Sequence, residues 1–246
     1  MTGRGWHGAW GLTRLCGATA TFPARTPLCA GGSVIDSSFK PERDVVHYND
    51  WAPTYEDSKV QRIRNDIHQS LVDWAASSGI QPKRILDVGC GTGALLRRVG
   101  PAFPDAELNG VDISPNMVKE ASRKVPKGLR VHFLQGPAEK LPFEDGGFDL
   151  VVTTICFHHW RSRVEGIAEV HRVLAPGGRF YIADHFAIGW LRALFIAFRC
   201  RDRCHTPREL NRMLRDAGFS VQGWKRLYKL WGWLPLIQGV VAEKRP

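Results

Sequence analysis

The sequence predicts an α/β fold in which helices cover both faces of a doubly wound, mostly parallel sheet. Three observations carry that expectation. The run Arg84–Val88 is apolar apart from its ends, places the acid Asp87 at its tip, and breaks at once into Gly89-Cys90-Gly91-Thr92-Gly93. A second apolar run, Leu108–Asp112, also ends in an acid, 23 residues beyond Gly89. Segments of helical periodicity lie between the runs, and strands that alternate with helices form parallel sheets through crossover connections. The chain has 246 residues, 43% of them hydrophobic, which suits a single substantial core. Residues 1–44 are read as a flexible extension and 45–246 as the folded domain.

Each element has its own signal. Val60, Ile63, Ile67, Leu71 and Trp74 recur at steps of 3, 4, 4 and 3, giving one helical stripe from Ser58 that stops at Gly79 and Pro82. Ile85, Leu86 and Val88 suit a buried strand, and Leu95-Leu96 begins a helix. After the strand ending at Asp112, Ser114 caps a helix with Pro115 at its first position. Leu129–Leu134 reads as a third strand and Phe148–Thr153 as a fourth, continuously apolar one. A helix over Val164–Leu174 is expected to end at Pro176-Gly177-Gly178, followed by a fifth strand, Arg179–Asp184. Thr206-Pro207-Arg208-Glu209 is a capping box whose helix buries Leu210, Met213 and Leu214 and stops at Gly218. Phe219–Leu230 and Leu236–Glu243, joined through Trp231-Gly232-Trp233, complete the strands.

The glycine loop speaks for a nucleotide-like ligand, because glycines remove the side chains that would hold a ligand away from the backbone at a helix start. Gly89–Ala94 can also be fitted to a dinucleotide pattern. Asp87 decides between the two. A carboxylate at that tip repels a pyrophosphate but accepts hydrogen bonds from an ammonium group, such as the amino end of S-adenosylmethionine. A sulfonium cofactor is therefore expected in place of NAD.

With these pieces in order, the chain from about Tyr48 onward resembles the class I S-adenosylmethionine-dependent methyltransferases, in the type 11-like branch that methylates quinones, sterols and natural products. The likeness rests on Leu86–Gly93, Gly110–Pro115, Ala138–Phe143, Phe148–Val152, His158-His159 and Arg172–Gly178. It implies a seven-stranded Rossmann-like sheet closed by an antiparallel C-terminal hairpin. It also implies that Asp87, Gly89, Gly91 and Gly93 hold the methionine part of the cofactor and Asp112 the ribose, with Ile113, Met117 and Thr154 among the contacting positions and Tyr55 closing over the methionine end. Relatives carry Gly-Asp-Ala at the adenine position. Here it is Gly136-Pro137-Ala138, so the side-chain contact is lost, the Ala138 N–H remains, and Glu139 is the candidate substitute.

The chemistry is expected just after the fourth strand. Thr154-Ile155-Cys156-Phe157 replaces the Asn/Asp-Pro-Pro-aromatic motif of amino-methylating relatives and argues against exocyclic base amines. His158 and His159 follow as the catalytic candidates, since an imidazole titrates near working pH; helix capping and packing are the alternatives. No metal set is expected: Cys200, Cys204 and His205 fall short of one. The apolar stretch Phe186–Phe198, which abuts the cationic Arg199–His205, reads as a cover over the acceptor pocket, assisted by Trp231 and Trp233.

The net charge of +10 is uneven, with twelve lysines and arginines against four acids from Arg192 onward. That region suits an anionic partner: a membrane surface, a nucleic acid or an acidic substrate. The six cysteines are irregularly spaced, as in a reducing compartment. A cytoplasmic location is expected, with organelle transit as the alternative raised by Arg4, Arg14 and Arg25. A small-molecule acceptor leads the functional reading; a nucleic-acid-modifying enzyme and a non-catalytic cofactor-binding partner are the other readings.

Overall fold

In the computed structural model, residues 41–58, 60–189, 191 and 205–245 are described. Helix α1 (Pro41–Trp51) leads through a 3₁₀ turn (Ala52–Asp57) into α2 (Gln61–Ser77). Then follow β1 (Arg84–Val88), α3 (Leu96–Ala102), β2 (Glu107–Asp112), α4 (Pro115–Arg123), β3 (Val131–Gln135), β4 (Phe148–Thr154), α5 (Arg163–Val173) and β5 (Leu174–Asp184). Helix α6 (Pro207–Asp216) precedes the hairpin β6 (Phe219–Leu230) and β7 (Leu234–Lys244). Helix α1 starts at Pro41, four residues before the boundary drawn at 45, with proline at the position where a missing N–H is harmless. The extension over 1–40 and most of the insert after Phe186 lie outside the described residues.

The seven strands form one sheet in the order β3-β2-β1-β4-β5-β7-β6. The first five are parallel, and β7 runs antiparallel to both β5 and β6. The seven-stranded α/β architecture expected from the sequence is therefore the observed one. The order reverses between β1 and β4, and in open parallel sheets ligands bind at the strands' carboxyl ends at such a switch point.

Strand alternation divides the core in two. Leu86, Val151, Phe180, Ile182, Phe219 and Val240 pack with Ile167 and Val170 of α5 and Leu210 and Leu214 of α6. Ile85, Leu108, Leu150, Val152 and Tyr181 pack on the opposite face with Ile67 and Leu71 of α2 and Leu96 and Val99 of α3. Burying each such side chain stabilises by about 1.5–3 kcal/mol, so apolar strands covered on both faces fix the sheet.

One boundary and two expected roles differ from expectation. Strand β5 begins at Leu174, not Arg179: Leu174 pairs with Phe148, a bulge carries the chain through Pro176-Gly177-Gly178, and pairing resumes at Leu150 with Arg179. Positive φ at Gly177 (76°) lets the chain leave the helix and enter the sheet without an intervening loop. The tip tryptophans roof nothing among the described residues, because Trp231 is 74% and Trp233 69% exposed. At the start of the insert, Phe186 is buried edge-on against Trp224 at 5.1 Å, which makes it a core residue and not part of an acceptor pocket.

Candidate active site

The cofactor half is built by backbone hydrogen bonds. Beyond β1, the N–H groups of Gly89 and Cys90 both donate to the Val111 carbonyl, at 2.8 and 3.0 Å, which folds the glycine loop over the end of β2. Gly91 N–H then donates to Asp112 Oδ2 at 2.8 Å and Ser114 N–H to Asp112 Oδ1 at 2.9 Å. Burial pushes the Asp112 carboxyl up, and these two amides pull against it. Gly89 has φ +78°, and a Cβ there would run into the Cys156 thiol, so only glycine lets β1 and the loop after β4 meet.

Asp87 is 1% exposed and its Oδ1 has no hydrogen-bond partner. Burial, with a smaller contribution from the Asp112 charge, pushes its carboxyl up to about 8. A buried carboxylate oxygen without a donor is costly, and a cationic donor placed against it removes that cost. It lines a cavity together with Tyr55, Gln61, Arg64, His68, Gly89, Gly91, Thr92 and Thr154. The cavity thus has an unsatisfied buried carboxyl, a glycine backbone and the Arg64 cation in its lining, a donor and acceptor set that fits an amino acid such as the methionine part of S-adenosylmethionine.

The segment before α2 closes over this half. Arg64 lies over the Tyr55 ring at 4.2 Å and the Trp51 ring at 5.2 Å. Burial raises the Tyr55 phenol while Arg64 opposes the shift. Glu56 ties the 3₁₀ turn to Arg97 of α3 at 2.9 Å and to Lys124 at 3.2 Å. On the Asp112 side, Ser114 Oγ donates to Asn49 Oδ1 at 2.6 Å. His68 is buried, its Nε2 is 3.3 Å from Thr154 Oγ1, and burial followed by nearby Arg98 and Arg64 holds its pKa down to about 3.

Side chains from distant parts of the chain build the other half. Asp184, at the end of β5, accepts from His158 N–H through Oδ2 at 3.0 Å and from His185 N–H through Oδ1 at 2.7 Å. Its Oδ1 also meets His158 Nδ1 at 2.8 Å and His185 Nδ1 at 3.2 Å. Burial alone would raise Asp184, but the two histidines hold it well below the usual carboxylate range. His159 Nε2 is 3.0 Å from the Tyr48 hydroxyl, and the His158 and His159 rings lie 4.1 Å apart.

The structure therefore brings Tyr55, Asp87, Gly89, Gly91 and Thr154 around one cavity, with Asp112 joined through Gly91. Gly93 is not in that lining; it has φ +75°, and a Cβ there would run into the Phe133 ring. Met117 is buried in α4 and Ile113 is 42% exposed in the turn before it. Ala138 packs against the core, and Glu139 Oε1 accepts from Ser162 N–H at 3.0 Å, a partner that spacing does not foresee. Arg64, His68, Tyr48, Asp184 and His185 are additions. Arg64 and His68 sit beside the α2 stripe four residues apart, and Asp184 is a third strand-ending acid at the edge where Asp87 and Asp112 stand. Both were visible signals.

Comparison with known proteins shows the family. Residues 85–178 match the methyltransferase domain family. The chain is 42% identical over 167 residues to the demethylmenaquinone methyltransferase of Thermus thermophilus, covering 57% of this chain and 76% of that protein. It is 32% identical over 188 residues to the malonyl-[acyl-carrier protein] O-methyltransferase of Geobacter sulfurreducens, covering 65% and 70%. Among solved structures, a chain from the complex of the Haloferax volcanii Trm112 methyltransferase activator with a methyltransferase superposes with a TM-score of 0.66 at 19% identity, over 81% of this chain and 98% of that one, which shows the shared fold. The chain belongs to the class I S-adenosylmethionine-dependent methyltransferases. Its cofactor is S-adenosylmethionine, and it is an enzyme of the small-molecule branch.

Proposed function

We propose that the protein methylates a nucleophilic O, N, S or C atom of a small organic acceptor held between the cofactor cavity and the histidine pair after β4. The observation that carries this reading is the double anchoring of His158 by Asp184, through backbone and ring together. Bound S-adenosylmethionine supplies a methyl group made electrophilic by its sulfonium. Asp87 receives the ammonium group, Arg64 faces the carboxylate, Asp112 takes the ribose hydroxyls, and the loop around Ala138 borders the adenine. Tyr55 and the rest of the 3₁₀ turn exclude water from the reacting atoms.

Asp184 fixes the His158 tautomer with Nδ1 protonated, which leaves Nε2 as the acceptor for a proton. During transfer of the methyl group that bound S-adenosylmethionine would supply, His158 Nε2 would take the acceptor's X–H proton, and the buried Asp184 charge would stabilise the imidazolium formed. His159, held by Tyr48, orients the acceptor. The demethylmenaquinone methyltransferase and malonyl-[acyl-carrier protein] O-methyltransferase relatives support a small organic acceptor, with oxygen among the candidate atoms. We assign the folded domain to the region expected from residue 45 onward, extended back to Pro41 by the first turn of α1, the cytoplasm as its location, and an anionic partner to the basic C-terminal region. No described helix is long and apolar enough to cross a membrane.

Calorimetry tests the cofactor assignment: S-adenosylmethionine and its demethylated product should bind, and NAD should not. Turnover of quinol, phenol and carboxylate acceptors, measured against pH in the native chain and in His158→Asn, tests the base. Equal rates in both proteins across the pH range would remove His158 from the reaction.

A further inference from the structure

The terminal hairpin carries more than it needs to close the sheet. Asp184, the last residue of β5, pairs with Gln238, yet β6 and β7 remain paired out to Leu230 and Leu234. Four more steps at about 3.3 Å each place the tip roughly 13 Å past the end of β5. That overhang lies on the edge where Asp87, Asp112, Thr154 and Asp184 end their strands.

The tip is chemically unlike an ordinary turn. From Leu230 to Leu236 the sequence is Leu-Trp-Gly-Trp-Leu-Pro-Leu, with no charged, hydroxyl or amide side chain. Trp231 adopts φ 53°, a left-handed conformation that suits glycine or asparagine and disfavours a bulky residue. Both indoles stand in solvent, with ring centroids 6.5 Å apart. Neither the turn geometry nor the core accounts for them, and a contiguous exposed apolar tip marks an interaction site. Set back along β6 are the exposed Arg226 and Lys229, and neither has a carboxylate partner among the described residues. Between Asp216 and Glu243 there is no acid.

An indole has an apolar body and one polar N–H, and it settles at the level of lipid head groups. Leucines beside it reach the acyl boundary, and cations behind it meet anionic head groups. A nucleic acid would be met by cations and hydrogen-bonding groups interleaved with the rings; here the aromatic tip and the cations occupy successive zones along the hairpin. We propose that the β6–β7 tip docks the protein on an anionic membrane surface, with Trp231 and Trp233 at head-group depth and Arg226 and Lys229 against the phosphates. The docking stands on the hairpin alone. Its consequence, that the acceptor side of the site faces the lipid, rests on the proposed reading of the active site.

The test is co-flotation of the full chain with vesicles of phosphatidylcholine and phosphatidylserine in a 3:1 ratio, at low and high salt, with cofactor affinity measured in parallel. The native chain should float with the vesicles at low salt. Trp231→Ser with Trp233→Ser should reduce partitioning by about tenfold or more while cofactor affinity is unchanged. Arg226→Gln with Lys229→Gln should weaken it chiefly at low salt. Trp231→Phe with Trp233→Phe should restore part of the binding, which separates loss of the aromatic tip from misfolding. Failure of the native chain to float, or flotation indifferent to both tryptophan variants, overturns the proposal. So does tighter, tryptophan-dependent binding to a single-stranded oligonucleotide than to vesicles. Lost flotation with intact cofactor binding concerns the hairpin, whereas lost cofactor binding with intact flotation concerns the active-site reading.

Discussion

The two halves of the site are held by different kinds of contact. Asp87 and Asp112 sit at strand ends, and Asp112 and the glycine loop are fixed by backbone amides: Gly91 and Ser114 N–H on Asp112, and Gly89 and Cys90 N–H on the Val111 carbonyl. The histidine half is fixed by side chains that meet across the chain: Tyr48 with His159 over 111 residues, and His158 with Asp184 over 26. On the proposed reading, the difference separates a part that holds a fixed cofactor from a part free to change its acceptor. Backbone geometry tolerates little variation, while a side-chain network can be rebuilt by single substitutions.

The largest test of that division is His158→Ala. It should lower kcat by about 10²- to 10⁴-fold, the scale of a positioned general base, and leave the cofactor dissociation constant unchanged. Asp184→Asn should lower kcat in the same direction, with little change in KM for the cofactor, because it alters the imidazole's partner and not the cavity wall. If either substitution weakens cofactor binding as strongly as it slows turnover, the two halves are one unit.

Next comes Asp87→Asn, which should weaken S-adenosylmethionine binding by about 1.5–3 kcal/mol, the scale of a hydrogen bond to a charged group. Asp112→Ala should fall in the same range by loss of the ribose contact. The sign of the pH effect follows from burial. The folded Asp87 carboxyl is raised to about 8, so the cofactor-free protein keeps it protonated at pH 6.5. Binding an ammonium group favours the carboxylate, so it should release a proton. The measured heat at pH 6.5 should then vary with the ionisation enthalpy of the buffer, and the Asn variant should lose that dependence. Because the folded pKa lies above the unfolded one, the stability of the cofactor-free native protein should decline as pH rises from 4 toward 8, by at most about 1.4 kcal/mol per pH unit from this group. Melts of the Asn variant should show a correspondingly smaller decline.

The same contrast explains what the sequence made legible. Strand runs, glycine spacing, Ser114 and the Thr206–Glu209 capping box are local, so period and spacing were enough to place them. Asp87 and Asp112 could be assigned positions because each ends an apolar run. The strand starting at Leu174 was hidden because Pro176-Gly177-Gly178 reads as a stop, whereas the sheet absorbs it as a bulge. Asp184 was legible as a strand end but not as the clamp on His158 and His185, since no spacing announces a contact over 26 residues. Glu139 shows the reverse: its place beside Ala138 suggested adenine, and the partner that the structure adds, Ser162 N–H 23 residues away, has no signal in the spacing.

The smallest and sharpest test is Tyr48→Phe. Removing one neutral hydrogen bond should cost about 0.5–1.5 kcal/mol, or roughly 2- to 13-fold in kcat/KM for the acceptor. Helix α1 nevertheless touches both halves: Tyr48 reaches His159, and the next residue, Asn49, accepts from Ser114 at the Asp112 side. Because this substitution removes only the hydroxyl and keeps the ring with its packing on Trp51 and Tyr55, α1 should stay seated and cofactor affinity should hold. An effect confined to the acceptor therefore means that α1 serves the halves through separate residues. Equal losses in acceptor and cofactor affinity would instead show that α1 closes as one body over both, and Asn49→Ala would then be expected to slow turnover as much as it weakens cofactor binding.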